Sequence, residues 1–584
     1  MPVMTLAPSI SLDGAALSQQ WQDALLECKV DLEMLAPGQA RLRFVDPGYV
    51  LAQSGMLKLG SALGVGVPQA GTLIAAEVTD LAVEQRQEEN PELVVTALDR
   101  SHRMGRGSRV KTYLNASYSD IVSQLARDNG LTPIVHESGS TFEYVLQLSS
   151  DLSFLGEMAA RTGFEWWVEG TDLHFQKPSA GSTVELRFGA GLLSFSVRAS
   201  GCTPGSVEVN GWDREKQEKL SASANRRSLA PESEFAEKVA DPDRAFGPSK
   251  LLTGGLAAHT QGEVAALSQA LFDWAAASSV RAVGVAEVNA ALRLGSSVKV
   301  VGAGPLAGTY PLTRVEHTYR PGRGFLTRFW SGGRGFAASG QGASRYPPLQ
   351  GPATHHPGLV VGEVTSINDP NEAGRVKVRF PGLDESQESA WGRVLSLGGG
   401  TKCGSVVLPE VGDEVLVGFE NGDPRQPVIM GGLYGGRLKI PNWPVREGKV
   451  SARQFTSRLG HLVEVSDGES AAEQYFMVQL AGEEHTLKMS KQETTLSVPA
   501  GQALTVKAGA TEVSFSTTGD ITLKGQNVTI EAQQNLKLKG LGVDVAASTQ
   551  LQLQGQAQAS MKGAMLQLES EGPASLKGAI VEIN

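Results

Sequence analysis

The stretch from Ile521 to Asn584 repeats itself. Apolar residues recur in pairs, two positions apart: Ile521/Leu523, Val528/Ile530, Leu536/Leu538, Val543/Val545, Leu551/Leu553, Leu566/Leu568 and Val581/Ile583. With two weaker pairs, Ala559/Met561 and Ala574/Leu576, successive pairs stand seven or eight residues apart. Glycines punctuate the series at Gly525, Gly540, Gly555, Gly563 and Gly578, four of them after Lys524, Lys539, Lys562 and Lys577. One apolar and one polar face in alternation predicts short strands, and glycine predicts the turns. A strand of four or five residues cannot bury its apolar face alone, so such repeats must stack into a column.

The period constrains the kind of column. One strand and one turn per repeat leave no room for a single chain to enclose a core. Three chains wound about one axis, each giving one side, is the economical solution. The pairs from Ile521/Leu523 to Leu566/Leu568 then form the shared trimer core, and glycine relieves the corner where a side chain would clash. At ~4.8 Å between stacked strands, the nine or so repeats give a rod roughly 43 Å long. An amyloid-like or low-complexity tail is the competing reading, and the maintained polar faces argue against it.

At 584 residues the chain exceeds one core and predicts several domains. The 68 glycines suit a turn-rich, mainly β chain. A net charge of −10 does not suggest a nucleic-acid partner. There is no run of 18 apolar residues to span a membrane, and the N-terminus lacks a basic and apolar leader. Cys28, Cys202 and Cys403 are odd in number and far apart. They predict synthesis in a reducing cytoplasm without a disulfide framework.

Residues 1–336 read as mixed β with three helices, at Ser119–Asn129, Ser150–Thr162 and Glu263–Ser278. Trp166-Trp167 is expected as a half-buried strand pair rather than a stacking platform. Asp213–Lys250, polar and with three prolines, is expected as a loop or surface excursion. Residues 337–357 have linker composition. Residues 358–436 carry six strand candidates, among them Gly374–Phe380, Ser389–Ser396 and Gly404–Leu408, and suit a small closed barrel. Residues 437–483 are expected as a transition and 484–584 as the column.

Several segments here look familiar. Gly374-Arg-Val-Lys-Val-Arg-Phe380, Trp391-Gly-Arg-Val394, Leu408–Phe419 and Asn421-Gly-Asp-Pro424 resemble the OB-fold domain of VgrG-type spike proteins. Upstream, Val94–His102, Tyr118–Ile121, Ser150–Leu155, Val301–Tyr310 and Val315–Tyr319 resemble the phage tail hub family. The resemblance implies a hub of two barrel-like α+β subdomains, an OB-fold barrel and an intertwined trimeric β-helix or prism. It implies a homotrimer that caps an inner tube, contacts baseplate proteins, carries a PAAR-type tip protein, and meets a target membrane only on firing. Effector cargo is a further implied partner. Ile580, Val581, Glu582, Ile583 and Asn584 would dock the tip, because an open β edge needs a cap. Phe380 is followed by Pro381-Gly-Leu-Asp384 rather than His-Trp-Asp. With Val411-Gly-Asp-Glu414, this is closer to phage-tail-like particles than to type VI secretion spikes. The particle would be cytoplasmic or released by lysis.

No chemistry is expected. The interval of about 45 residues between barrel and column cannot hold a lysozyme-like fold of well over ~100 residues. Asp413/Glu414 and Glu483/Glu484 are adjacent, so neighbours on a strand point apart. His355-His356 reads as an exposed linker pair rather than a metal site. No nucleophile elbow, Walker loop or zinc motif occurs, and no cofactor is expected. Two rivals come from other classes. One is an envelope-degrading enzyme trimerised by the column, and the other is a receptor-binding fibre, which leaves the hub and OB segments unexplained.

Overall fold

The computed structural model describes residues 6–583, save 240–241, 254–255, 334–357, 385, 438 and 483. The expected linker 337–357 with His355 and His356, Glu483, and the expected docking residue Asn584 lie outside the described residues. Two compact units are present, Met1–Ile440 and Pro441–Asn584.

The first unit is built on a 15-stranded sheet in two halves. In one half Leu25–Glu33, Gln39–Val45, Glu92–Leu98, Gly71–Glu84 and Ala62–Val67 lie antiparallel in that order. Ala40, Leu42 and Phe44 point inward while Gln39 and Arg41 face out, the period of a half-buried strand. They close on Trp21, whose ring meets Phe44 edge-on at 5.1 Å. The other half runs from Gly308–Pro311 through Ser297–Val301, Thr183–Phe188, Gly191–Ala199, Val280–Glu287 and Gly324–Ser331 to Arg314–Arg320. Its core holds Leu292, Tyr310 and Phe329. A Cβ on Gly284 would lie 2.1 Å from the Phe329 ring, so only glycine admits that ring.

The halves join where Arg314–Arg320 pairs antiparallel with Leu25–Glu33. Charges alternate across this seam. Arg314 forks onto Asp31 at 2.8 and 2.6 Å, Lys29 meets Glu316 at 2.8 Å, and Arg320 Nε donates to Glu27 at 2.7 Å. Opposite-charge neighbours of this kind favour one register over its slips. On the inner face His317 is fully buried, with Nδ1 2.9 Å from Thr327 Oγ1.

The three expected helices are present as Tyr118–Asp128, Asp151–Thr162 and Gln261–Ala276. Ser117 and Asp120 form a reciprocal capping box on the first, and Ser150 and Thr260 cap the others. Gly163 ends the second at φ +72°, a conformation glycine adopts without strain. Trp166 and Trp167 lie on the strand Glu165–Glu169 and are both buried, further inside than half-buried. The expected excursion Asp213–Lys250 is more ordered than its composition suggests. Within it Glu218–Ala224 pairs with Ser206–Asp213, and Leu220 and Ala224 point into a core under helix Gln261–Ala276. Among the described residues no helix is long and apolar enough to cross a membrane.

Val360–Gly432 makes a five-stranded sheet ordered Lys377–Arg379, Val360–Ser366, Glu414–Phe419, Pro427–Gly432, Arg393–Val394. Val364, Val376, Val378, Phe380, Val415, Val417 and Ile429 fill it. The expected strands Ser389–Ser396 and Gly404–Leu408 are a correction. Of the first, Arg393–Val394 joins the ladder and Gly392 bridges Val376; of the second, Gly404 makes a single bridge to Gly399. Gly398, Gly399 and Gly400 offer no side chains to pack and lose the most entropy on ordering. Asp369 holds the first long turn by accepting from the backbone N–H of Asn371, Ala373 and Arg375 and from the Arg375 guanidinium. That guanidinium holds the Asp369 carboxyl well below the usual carboxylate range.

Candidate functional site

The second unit opens with a five-stranded antiparallel meander: Ala452–Thr456, Leu462–Asp467, Gln474–Gln479, Thr486–Ser490 and Thr494–Ser497. Register fixes what each face carries, because cross-strand partners share a side. Phe455, Val463, Val478, Leu487 and Leu496 stand in one row across all five strands. Val465, Phe476 and Met489 stand in the next. The opposite face carries Gln454, Glu464, Met477, Lys488 and Thr495. There Tyr475 Oη and Gln454 Nε2 donate to Glu464 at 2.7 Å each, and Lys488 lies 4.2 Å over the Tyr475 ring. Burial, with Glu464 beside it, raises the Tyr475 phenol above its ordinary value. The polar face is therefore satisfied within one chain. The apolar face is not: Phe455 and Leu496 are each more than half exposed.

A three-stranded sheet continues the pattern with Leu504–Ala508, Thr511–Phe515 and Ile521–Lys524. Leu504, Phe515 and Ile521 align, as do Val506, Val513 and Leu523. After Lys524 no described residue belongs to a strand paired within the chain. Val528, Ile530, Leu536, Leu538, Val543, Val545, Leu551, Leu553, Leu566 and Leu568 are all more than half exposed, as are Ile580 and Ile583, with Val581 at 49%.

The glycines of the repeats need space rather than an unusual φ. A Cβ on Gly540 would meet the Gly542 carbonyl oxygen at 2.8 Å, and one on Gly555 the Gln558 carbonyl oxygen at 2.4 Å. Gly563 and Gly578 each face a carbonyl oxygen at 3.0 Å. These are corners where backbone folds against backbone.

The expected boundary at residue 484 falls inside the meander, in the hairpin between Gln474–Gln479 and Thr486–Ser490. The expectation of a plain transition at 437–483 missed this shared apolar face. Its signal was available: Val463/Val465, Phe476/Val478 and Leu487/Met489 are the same two-apart apolar pairs as those after Ile521. The early repeats also differ in kind, since they pair antiparallel within one chain.

The remaining chemical candidates resolve into structural roles. Asp413 accepts from the Glu410 N–H in a turn, whereas Glu414 starts a strand and is exposed. Among the described residues no three His, Cys, Asp or Glu side chains converge as a metal site. Burial pushes the Cys28 thiol up to about 12, where it is inert; Cys202 and Cys403 are exposed.

Residues 360–434 match the family described as type VI secretion system/phage-baseplate injector OB domain. A second model, the Alg8 N-terminal domain, matches 69–320, starting in one hairpin turn and stopping before Gly324–Ser331, so it cuts across both halves of the large sheet. The type VI secretion system spike protein VgrG5 of Pseudomonas aeruginosa is 39% identical over 114 residues, 18% of this chain and 14% of that protein. Spike protein VgrG3 of Vibrio cholerae is 46% identical over 65 residues, 10% of this chain and 6% of the relative. The chain thus matches less than a fifth of either relative's length. The lidded Francisella PdpA–VgrG complex resembles it with TM-score 0.48 and 8% identity, over 88% of this chain and 79% of that one.

Proposed function

We propose, from the premise that this chain is a VgrG-type spike protein with an injector OB domain at residues 360–434, that it is the trimeric hub and spike of a contractile injection system. One observation carries this: the OB domain is followed by a long run of alternating apolar residues with no partner inside the chain. Strand edges and apolar faces of that length demand copies of themselves. Three chains would bury Phe455, Val463, Val478, Leu487 and Leu496 first, then the pairs from Ile521/Leu523 to Leu566/Leu568. The hub end would cap the inner tube and bind baseplate proteins, with effector cargo as a further passenger. The work is mechanical, with no catalysis by this chain, no cofactor and no nucleic acid. The protein would be made in the bacterial cytoplasm and meet a target membrane only on firing.

Sedimentation equilibrium of the full chain tests the assembly. Three times the 61.6 kDa chain mass is expected, and a folded species at one chain mass rules it out. The exposed Ile580, Val581 and Ile583, with Glu582 between them, support a docking face for a PAAR-type tip protein. Deleting Ala579–Asn584 is expected to leave the trimer folded and abolish capture of such a tip. Equal capture by both chains would place docking elsewhere. The Phe380-Pro381 strand end favours a phage-tail-like particle. The second reading, a type VI secretion spike, is favoured by the Pseudomonas and Vibrio matches. Co-purification with a phage-like or a type VI tube protein separates the two.

A further inference from the structure

The loop from Asn421 to Arg425 leaves the OB sheet and buries its charges. Asp423 is 2% exposed and Arg425 7%. Arg425 Nε donates to Asp423 Oδ2 at 2.9 Å, and its Nη1 reaches Glu263 Oε1 at 2.6 Å, on the hub helix Gln261–Ala276. Its guanidinium carbon sits 4.5 Å over the Phe142 ring. Arg161, on the hub helix Asp151–Thr162, donates to the Ala257 carbonyl at 3.3 Å and to Glu157 at 3.1 Å. His259 Nε2 lies 3.4 Å from Asp423 Oδ2, and Glu263 Oε2 accepts the His259 backbone N–H at 3.0 Å. Two hub helices and one OB loop thus share a single network of two guanidiniums and three carboxylates. Burial alone would push the Asp423 carboxyl up, yet Arg425, His259 and Arg161 hold it well below the usual carboxylate range.

Such a network is a poor way to gain stability, since well-packed apolar residues do as well or better. What a buried network of paired charges supplies is one geometry. Its position gives that geometry a use. After one intervening residue, Arg425 is followed by Pro427–Gly432, the last described strand of the first unit before the second unit in the chain. We propose that the Asn421–Arg425 loop is the load-transmitting joint between hub and OB domain, with Arg425 as the positioning residue that holds them in one orientation. The mechanical role rests on the spike reading; the fixed orientation does not.

The chain carries its own reporters, because Cys202 in the hub and Cys403 in the OB domain are exposed while Cys28 is buried. Spin labels on Cys202 and Cys403, in full-length assemblies diluted with cysteine-free chains, read the hub–OB distance. A single narrow distance is expected for the parent, and its loss to a broad spread for Arg425→Met, with secondary structure retained. A narrow, unshifted distance in Arg425→Met overturns the joint. If that variant fails to fold, Glu263→Gln removes the hub half of the same pair. It is expected to broaden the distance, and an unchanged distance overturns the proposal equally. Particles built with a broadened variant should assemble and fail to fire; normal firing would overturn the force-transmitting role. Failure of the parent chain itself to join a tube would instead count against the spike reading alone.

Discussion

Leu553→Asp is expected to abolish the trimer, whereas Gln552→Asp should leave it almost untouched. In one chain both positions face water, Leu553 at 71% exposure. The contrast arises only when three copies meet. In the proposed trimer Leu553 would share a strand face with Leu551, so the substitution would place three carboxylates in one apolar layer around the axis. Each unpaired polar group costs several kcal/mol to bury, on the order of 2–7. Three of them together rival the ~5–15 kcal/mol that holds a typical folded domain. Gln552 points to the other side of the strand, where a carboxylate stays hydrated. Sedimentation equilibrium with heat denaturation reads both variants. Matching losses in the two would show that the inward register is wrong, and a reversed contrast would show a slip of one residue.

The second large effect is on the 15-stranded sheet and depends on pH. Burial lowers the His317 imidazole from its ordinary 6.5 to about 4. Between those values the unfolded chain takes up a proton that the folded one refuses. The stabilisation is therefore fully present above pH 6.5 and is lost as pH falls toward 4. The shift corresponds to about 3 kcal/mol per chain. Asp99, buried nearby and raised by that burial, acts in the opposite sense, gaining stability as pH falls. The His317→Gln variant isolates the histidine. Chemical denaturation at pH 7 and pH 4.5 should show a steep loss for the parent and a shallower one for the variant. Parallel losses would mean that other groups set the acid sensitivity of this sheet.

What the sequence made legible was local. Three helices were readable because apolar residues recur at helical spacing, and Ser150 marked the start of the second, whereas the caps Ser117 and Thr260 lie before the expected starts at Ser119 and Glu263. The repeats were readable because period-two alternation is the signature of a half-buried strand. The base of the column was less so. Val463/Val465 and Phe476/Val478 carry the same alternation, but their turns vary in length, and without a fixed period the pairs look like any strands. Glu218–Ala224 was hidden by charge, since a strand with one inward leucine and one inward alanine reads as polar. The contact of Arg425 with Glu263 was out of reach altogether. Two oppositely charged residues 162 positions apart have no sequence signal that pairs them.

The change at Lys524 has a consequence for how such an assembly is born. From Ala452 to Lys524 each paired strand meets its partner one short hairpin away, so the two small sheets need only their own chain and can form on the ribosome's timescale. Beyond Lys524, in the proposed trimer, closing a layer would require other molecules, and the rate would become concentration-dependent. A repeat of seven or eight residues is ambiguous by itself, because sliding one chain by one repeat preserves most contacts. Preformed sheets that dock first would remove that ambiguity, as the locked teeth at the base of a zip fix the alignment of all that follow. Chains lacking 452–524 should then trimerise slowly and out of step, even though every later repeat is intact.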